Sequence, residues 1–88
     1  MLSYIEDIYP MYREWADCMI DRHWYLDRSD FMCDPAPGSS FPDHGHARRT
    51  YAKLTHPNPI ARMPPGGPYL SEEQLAKYRQ WMDEGFNP

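Results

Sequence analysis

Apolar side chains at Ile8, Met11, Tyr12, Trp15, Cys18 and Met19 follow the i, i+3, i+4, i+7 spacing of one helix face. They predict an amphipathic helix within residues 3–24. With Asp7 as N-cap, Pro10 falls in the first turn, where a missing N–H costs no helical hydrogen bond. Ser3 with Glu6 offers a rival start, a capping box one turn earlier. A second periodic stretch begins at Ser71, which with Gln74 forms another capping box, and Leu70 can staple against Leu75. Leu75, Tyr78 and Met82, flanked by Trp81, supply its buried stripe, and Gly85 suits the left-handed residue that ends a helix.

Between these two helices the pattern changes. Residues 34–68 hold eight of the ten prolines and four of the five glycines, so most of this stretch is loop. One proline-free run inside it, from His46 to Leu54, puts Ala47, Tyr51 and Leu54 on one side of a short helix that closes before Pro57. Asp43 is the natural cap for that helix. The run from Asp34 to Pro42 has the composition of an extended surface loop. No strand pattern stands out, and the fold class expected is all-α: two main helices, a short middle helix and a long Pro/Gly-rich loop.

Composition narrows the function classes. A chain of 88 residues holds one domain, 1–88, with one modest core. Three Trp, seven Tyr and three Phe give too much aromatic surface for a disordered chain. Thirteen acidic against nine basic residues leave a net charge of −4. With no basic stripe, nucleic acid is not an expected partner. Acids interrupt every apolar run, so a membrane is not expected either. The acidic first residues lack the features of a signal peptide, which predicts a cytoplasmic protein with Cys18 and Cys33 as free thiols.

Both ends carry a resemblance. Met63-Pro64-Pro65-Gly66-Gly67, followed by Leu70-Ser71-Glu72-Glu73-Gln74-Leu75 and Trp81-Met82-Asp83-Glu84-Gly85, resembles the end of a small bacterial class I cytochrome c domain. Asp7-Ile8-Tyr9-Pro10-Met11-Tyr12 likewise resembles the approach to that family's first helix. The resemblance implies a cytochrome c-like bundle with Met63 in the position of the axial haem ligand. It departs from the family where haem is attached: residues 16–20 read Ala-Asp-Cys-Met-Ile, with one thiol, no second thiol two residues away and no adjacent histidine. The fold is therefore expected without covalent haem. Trp15, Trp24, Tyr51, Tyr78 and Trp81 are the side chains expected to fill the vacated space, with Met63 reduced to a vestigial cofactor position.

Other candidate chemistry is thin. His44 and His46, two residues apart, could hold copper or zinc with a thiol, and His23 and His56 are further donors. Glu6, Asp7, Asp17 and Asp21 belong on the polar side of the first helix, and Glu72 and Glu73 complement the dipole of the last. Cys18 and His23 are five residues apart and diverge around a helix axis, so no thiol–imidazole pair is expected. Arg48 and Arg49 point in different directions. No catalytic residue is expected. What remains is binding: Tyr9, Tyr12, Trp24, Tyr25, Phe31 and Phe41 are the aromatics suited to docking on another protein. The expected role is an accessory, protein-interaction subunit of a larger redox or biosynthetic complex. The alternatives are the His44/His46 metal site and non-covalent binding of haem or another flat ligand beside Met63.

Overall fold

A computed structural model describes residues 1–38, 43–64 and 66–88. Among the described residues there is no strand, and the elements are helical throughout. The radius of gyration is 12.1 Å, the value expected when about 88 residues pack as one body.

The amino-terminal segment is helical but irregular, interrupted at Tyr12 (φ −136°), and Pro10 is the reason. Proline has no N–H to donate to the carbonyl of Glu6, and its ring crowds that carbonyl. The ladder responds by widening and then tightening: a π-helical turn spans Tyr4–Ile8, with the Tyr9 N–H reaching the Tyr4 carbonyl, and a 3-10 turn spans Tyr9–Met11. Regular helix resumes as α1, Arg13–Ala16, and closes as 3-10 turns over Asp17–Arg22, where His23 takes a left-handed φ of 58°. The start is at Ser3 rather than Asp7. Asp7 serves that start differently, its carboxylate accepting the Ser3 N–H at 2.7 Å, the reach-back expected of Glu6.

Ser29–Met32 forms α2, a single turn the pattern did not reveal. Four residues are too few to display a period. The middle helix, α3, spans Gly45–Leu54, with Ala47, Thr50 and Leu54 buried and Tyr51 half-buried. Asp43 does not cap it. The N-cap is His44 in a left-handed conformation without a side-chain cap bond, while Asp43 pairs with His44 at 3.1 Å and Arg48 at 3.2 Å. The last helix, α4, spans Glu72–Asp83, with both halves of the Ser71–Gln74 capping box formed. Gly85, at φ 106°, provides the turn that lets the Phe86 N–H return to the Trp81 carbonyl at 3.1 Å. The buried stripe of α4 is Leu75, Tyr78 and Trp81, with Met82 only half-buried.

One core joins these elements. Tyr4, Ile8, Tyr12 and Ala16, spaced by four, form the sealed stripe of the amino-terminal segment and meet Tyr78 and Trp81 of α4 together with Leu26, Met32, Ala47 and Leu54. The Tyr4 and Trp81 rings lie 5.2 Å apart. Buried hydroxyls are all answered: Tyr4 donates to the Leu26 carbonyl at 2.6 Å, which leaves Tyr12 as the donor in the 2.6 Å bond between the two tyrosines. Tyr78 donates to the Ala47 carbonyl at 2.7 Å, tying α4 to α3. Burial pushes the pKa of all three hydroxyls up, so they stay protonated donors. The chain ends also meet, with the Tyr4 N–H on the Asn87 carbonyl at 2.9 Å and the Leu2 N–H on the Glu84 carboxylate at 2.6 Å.

Candidate functional site

The amino-terminal segment has a second apolar face that is only partly covered. Met11, Trp15 and Met19 are half-buried and Cys18 is exposed, although the periodicity assigned all four to one buried stripe with Ile8 and Tyr12. The irregular turns around Pro10 set the two apart: residues 4, 8, 12 and 16 are buried in the core, while 11, 15, 18 and 19, together with an edge of Tyr12, line a cavity of about 460 Å³.

The opposite wall is built by Met63, Pro64 and residues 67–70. It is fastened to the end of α3 by the Met63 N–H on the Lys53 carbonyl at 3.0 Å and by Arg62 Nε on the Leu54 carbonyl at 3.0 Å, one of the carbonyls a helix end leaves unpaired. Arg62 also lies over the Tyr69 ring at 4.6 Å. Gly66 and Gly67 have φ of 77° and 70°, a backbone path that only glycine follows without strain. Met63, Pro64, Pro68, Tyr69 and Leu70 then present their surface to the amino-terminal segment.

A second cavity of about 230 Å³ adjoins the first, sharing Trp15, Met19, Arg22 and Met63 with it. Trp24, Leu26, Thr50 and Leu54 extend its apolar floor, and the charged side chains lining it are Arg22, Arg49 and Lys53. A chain of net charge −4 thus gathers three cations around one apolar recess. Together the cavities form a groove with thioether and indole walls and a cationic rim at one end. The larger cavity also holds one free thiol, Cys18, and one carboxylate, Glu14.

The side chains singled out from the sequence are distributed unevenly over this geometry. Met63 lines both cavities. Trp15 and Trp24 line the groove without filling it, whereas Tyr78 and Trp81 belong to the sealed core. Tyr12 is only 1% exposed, with its hydroxyl bonded to Tyr4, so it supports the core and is not part of an exposed patch. Tyr9 packs beside Tyr4 and Tyr12. Trp24 donates Nε1–H to Thr50 at 2.9 Å and meets Phe31 edge-on, as does Tyr25. Phe41 lies outside the described residues.

The two histidines take different ring partners. His44 stacks on Phe86 at 3.9 Å, and His46 stacks on Phe31 at 3.7 Å with Nδ1 3.0 Å from the Phe31 carbonyl. Among the described residues, no group of three or more His, Cys, Asp and Glu is gathered where it could hold a metal ion. Cys33 stands apart from the groove, its thiol pushed up to about 11 by burial, and is therefore a protonated core neighbour at neutral pH.

The groove residues that the sequence reading left aside include Glu14, Arg22, Lys53 and Tyr69. Only the fold of the 55–70 loop brings Tyr69 opposite Met11, and no local spacing announces it. Met11 and Met19 do pack against the core while also lining the groove, whereas Cys18 is exposed. No protein family, curated protein or solved structure matches the chain. None of its helices is long and apolar enough among the described residues to cross a membrane.

Proposed function

We propose that this chain is a haem-free, cytochrome c-like helical domain that acts as an accessory, protein-binding subunit, with the groove as its docking surface. The observation that carries this reading is the partly covered apolar face of the amino-terminal segment opposite Met63. Methionine and indole walls suit a partner side chain because they adapt in shape and bring large apolar area at low entropic cost. The rim of Arg22, Arg49 and Lys53 selects a partner segment that carries carboxylates beside its apolar anchor. The cytochrome c resemblance is supported by helix order and by Met63 facing the first helix across a cavity. Residues 16–20 do not fit covalent haem, since a single thiol cannot form two thioether links.

Capture of a stoichiometric partner from the native host tests the reading. The partner should be retained by the wild-type chain and lost by Trp15→Ala, whose side chain lies in both cavities. A wild-type chain that elutes as a monomer and retains nothing contradicts it.

A flat ligand in the same groove is the second reading, favoured by a cavity of about 460 Å³, within the size range of small-molecule sites. Adding haem and recording the absorption spectrum separates the two. A saturable Soret shift that Met63→Leu removes supports the ligand, and an unchanged spectrum excludes haem as that ligand.

A further inference from the structure

The larger cavity has a property that docking does not require. Of the chain's six methionines and two cysteines, Met11, Cys18, Met19 and Met63 all line this one cavity. Met11 reaches it from one 3-10 turn of the amino-terminal segment, and Cys18 and Met19 from the next. Met63 faces them from the far wall, its backbone held by the Lys53 carbonyl at 3.0 Å. The three methionines are half-buried and the thiol of Cys18 is free and exposed, so an ion has a way in.

We propose that Met11, Cys18, Met19 and Met63 form a binding site for monovalent copper. Thioethers are uncharged, soft donors that bind hard cations such as calcium or magnesium poorly, and zinc takes thiolate, imidazole and carboxylate in place of thioether, so three thioethers with one thiolate suit Cu(I). Charge points the same way. Cu(I) displaces the thiol proton to solvent and forms one Cu–S bond, leaving a neutral thiolate complex among Trp15, Tyr69 and Leu70. A divalent ion on the same thiolate would leave a positive charge beside Arg22 that only the Glu14 carboxylate, also in the lining, offsets. Methionine side chains have three rotatable bonds and can close on a small ion from a wall that is otherwise open. His44 and His46, which stack on Phe86 and Phe31, take no part.

The test is an anaerobic titration of the whole reduced chain with Cu(I) against the chromophoric competitor bicinchoninate. Wild-type protein should withdraw one equivalent of copper. The double substitution Cys18→Ser with Met63→Leu should weaken binding by about 100-fold, at least what loss of a supporting neighbour does at other metal sites. Met19→Leu, which keeps the volume and the fold, gives a second and smaller loss. His44→Ala with His46→Ala should leave the affinity unchanged, and X-ray absorption at the copper edge should report only sulfur neighbours. Failure to withdraw copper, an affinity indifferent to Cys18 and Met63, or nitrogen in the first shell overturns the proposal. None of these measurements involves a partner, so the site stands or falls separately from the docking reading.

Discussion

The two ends of the chain are both amphipathic helices rich in aromatic residues, yet they handle their apolar surface differently. α4 starts at a complete capping box, runs without interruption to Asp83, and seals its stripe of Leu75, Tyr78 and Trp81 in the core. The amino-terminal segment passes through π, 3-10 and α geometry on account of Pro10, and buries one stripe while leaving a second facing a cavity. A regular, well-capped helix presents one apolar face and covers it. An irregular one has enough helical surface to serve both the core and a groove.

Breaking the sealed side should have the largest effect. Trp81 is fully buried, contacts Tyr4, Tyr78 and Phe86, and donates Nε1–H to the Asn87 carbonyl at 2.8 Å. Trp81→Ala should cost about 4 kcal/mol in urea denaturation, a large part of the stability of a small domain. Trp15→Ala, on the open side, should cost about 2 kcal/mol while abolishing partner capture. Equal losses of stability would erase the distinction between the two faces.

Next come the hydroxyls beneath the amino-terminal stripe. Tyr4→Phe strands both the Leu26 carbonyl and the Tyr12 hydroxyl and should cost about 2 kcal/mol. Tyr12→Phe removes only one donor to an oxygen that still donates, and should cost about 1 kcal/mol. The order of the two, measured by the same denaturation, is the prediction. Ser71→Ala should cost about 1 kcal/mol by removing the α4 cap.

These elements also mark what was legible in advance. α4 could be read almost residue by residue because its cap, stripe and terminating glycine are all local signals. The middle helix was legible for the same reason, apart from its cap: nothing in the order Asp43-His44-Gly45 tells that Asp43 engages Arg48 instead of the helix amides. Apolar periodicity from Ile8 to Met19 identified a helix but not which apolar positions would be covered, because that depends on where the 55–70 loop returns. The groove was therefore half visible, as Met63 on one side and a helix face on the other. Arg22, Lys53 and Tyr69 joined it only through tertiary folding.

The regularity of the two helices can be compared directly by replacing Pro10, whose ring is exposed. Pro10→Ala restores an N–H to the ladder and should raise the helical circular dichroism signal slightly without loss of stability. An unchanged signal would mean that tertiary packing, not proline, sets the irregular turns.

The smallest effect is expected at Asp43. A hydrogen bond with His44, then the charge of Arg48, holds its carboxyl below the usual range. A lowered native pKa stabilises the fold above the unfolded value of about 3.9, and this contribution is lost as pH falls through the lower native value. Asp43→Asn should flatten only that acid limb of the stability profile. The carboxylate is exposed, so the change is small.

The claim that one face of the amino-terminal segment is open while the other is sealed is tested most directly by methionine oxidation. Mild peroxide treatment followed by peptide mass spectrometry ranks each thioether by its access to solvent. Met11, Met19 and Met63 should oxidise well before Met32, which is fully buried. Oxidation of all four at the slow rate of Met32 would contradict the account, because the groove would then be closed.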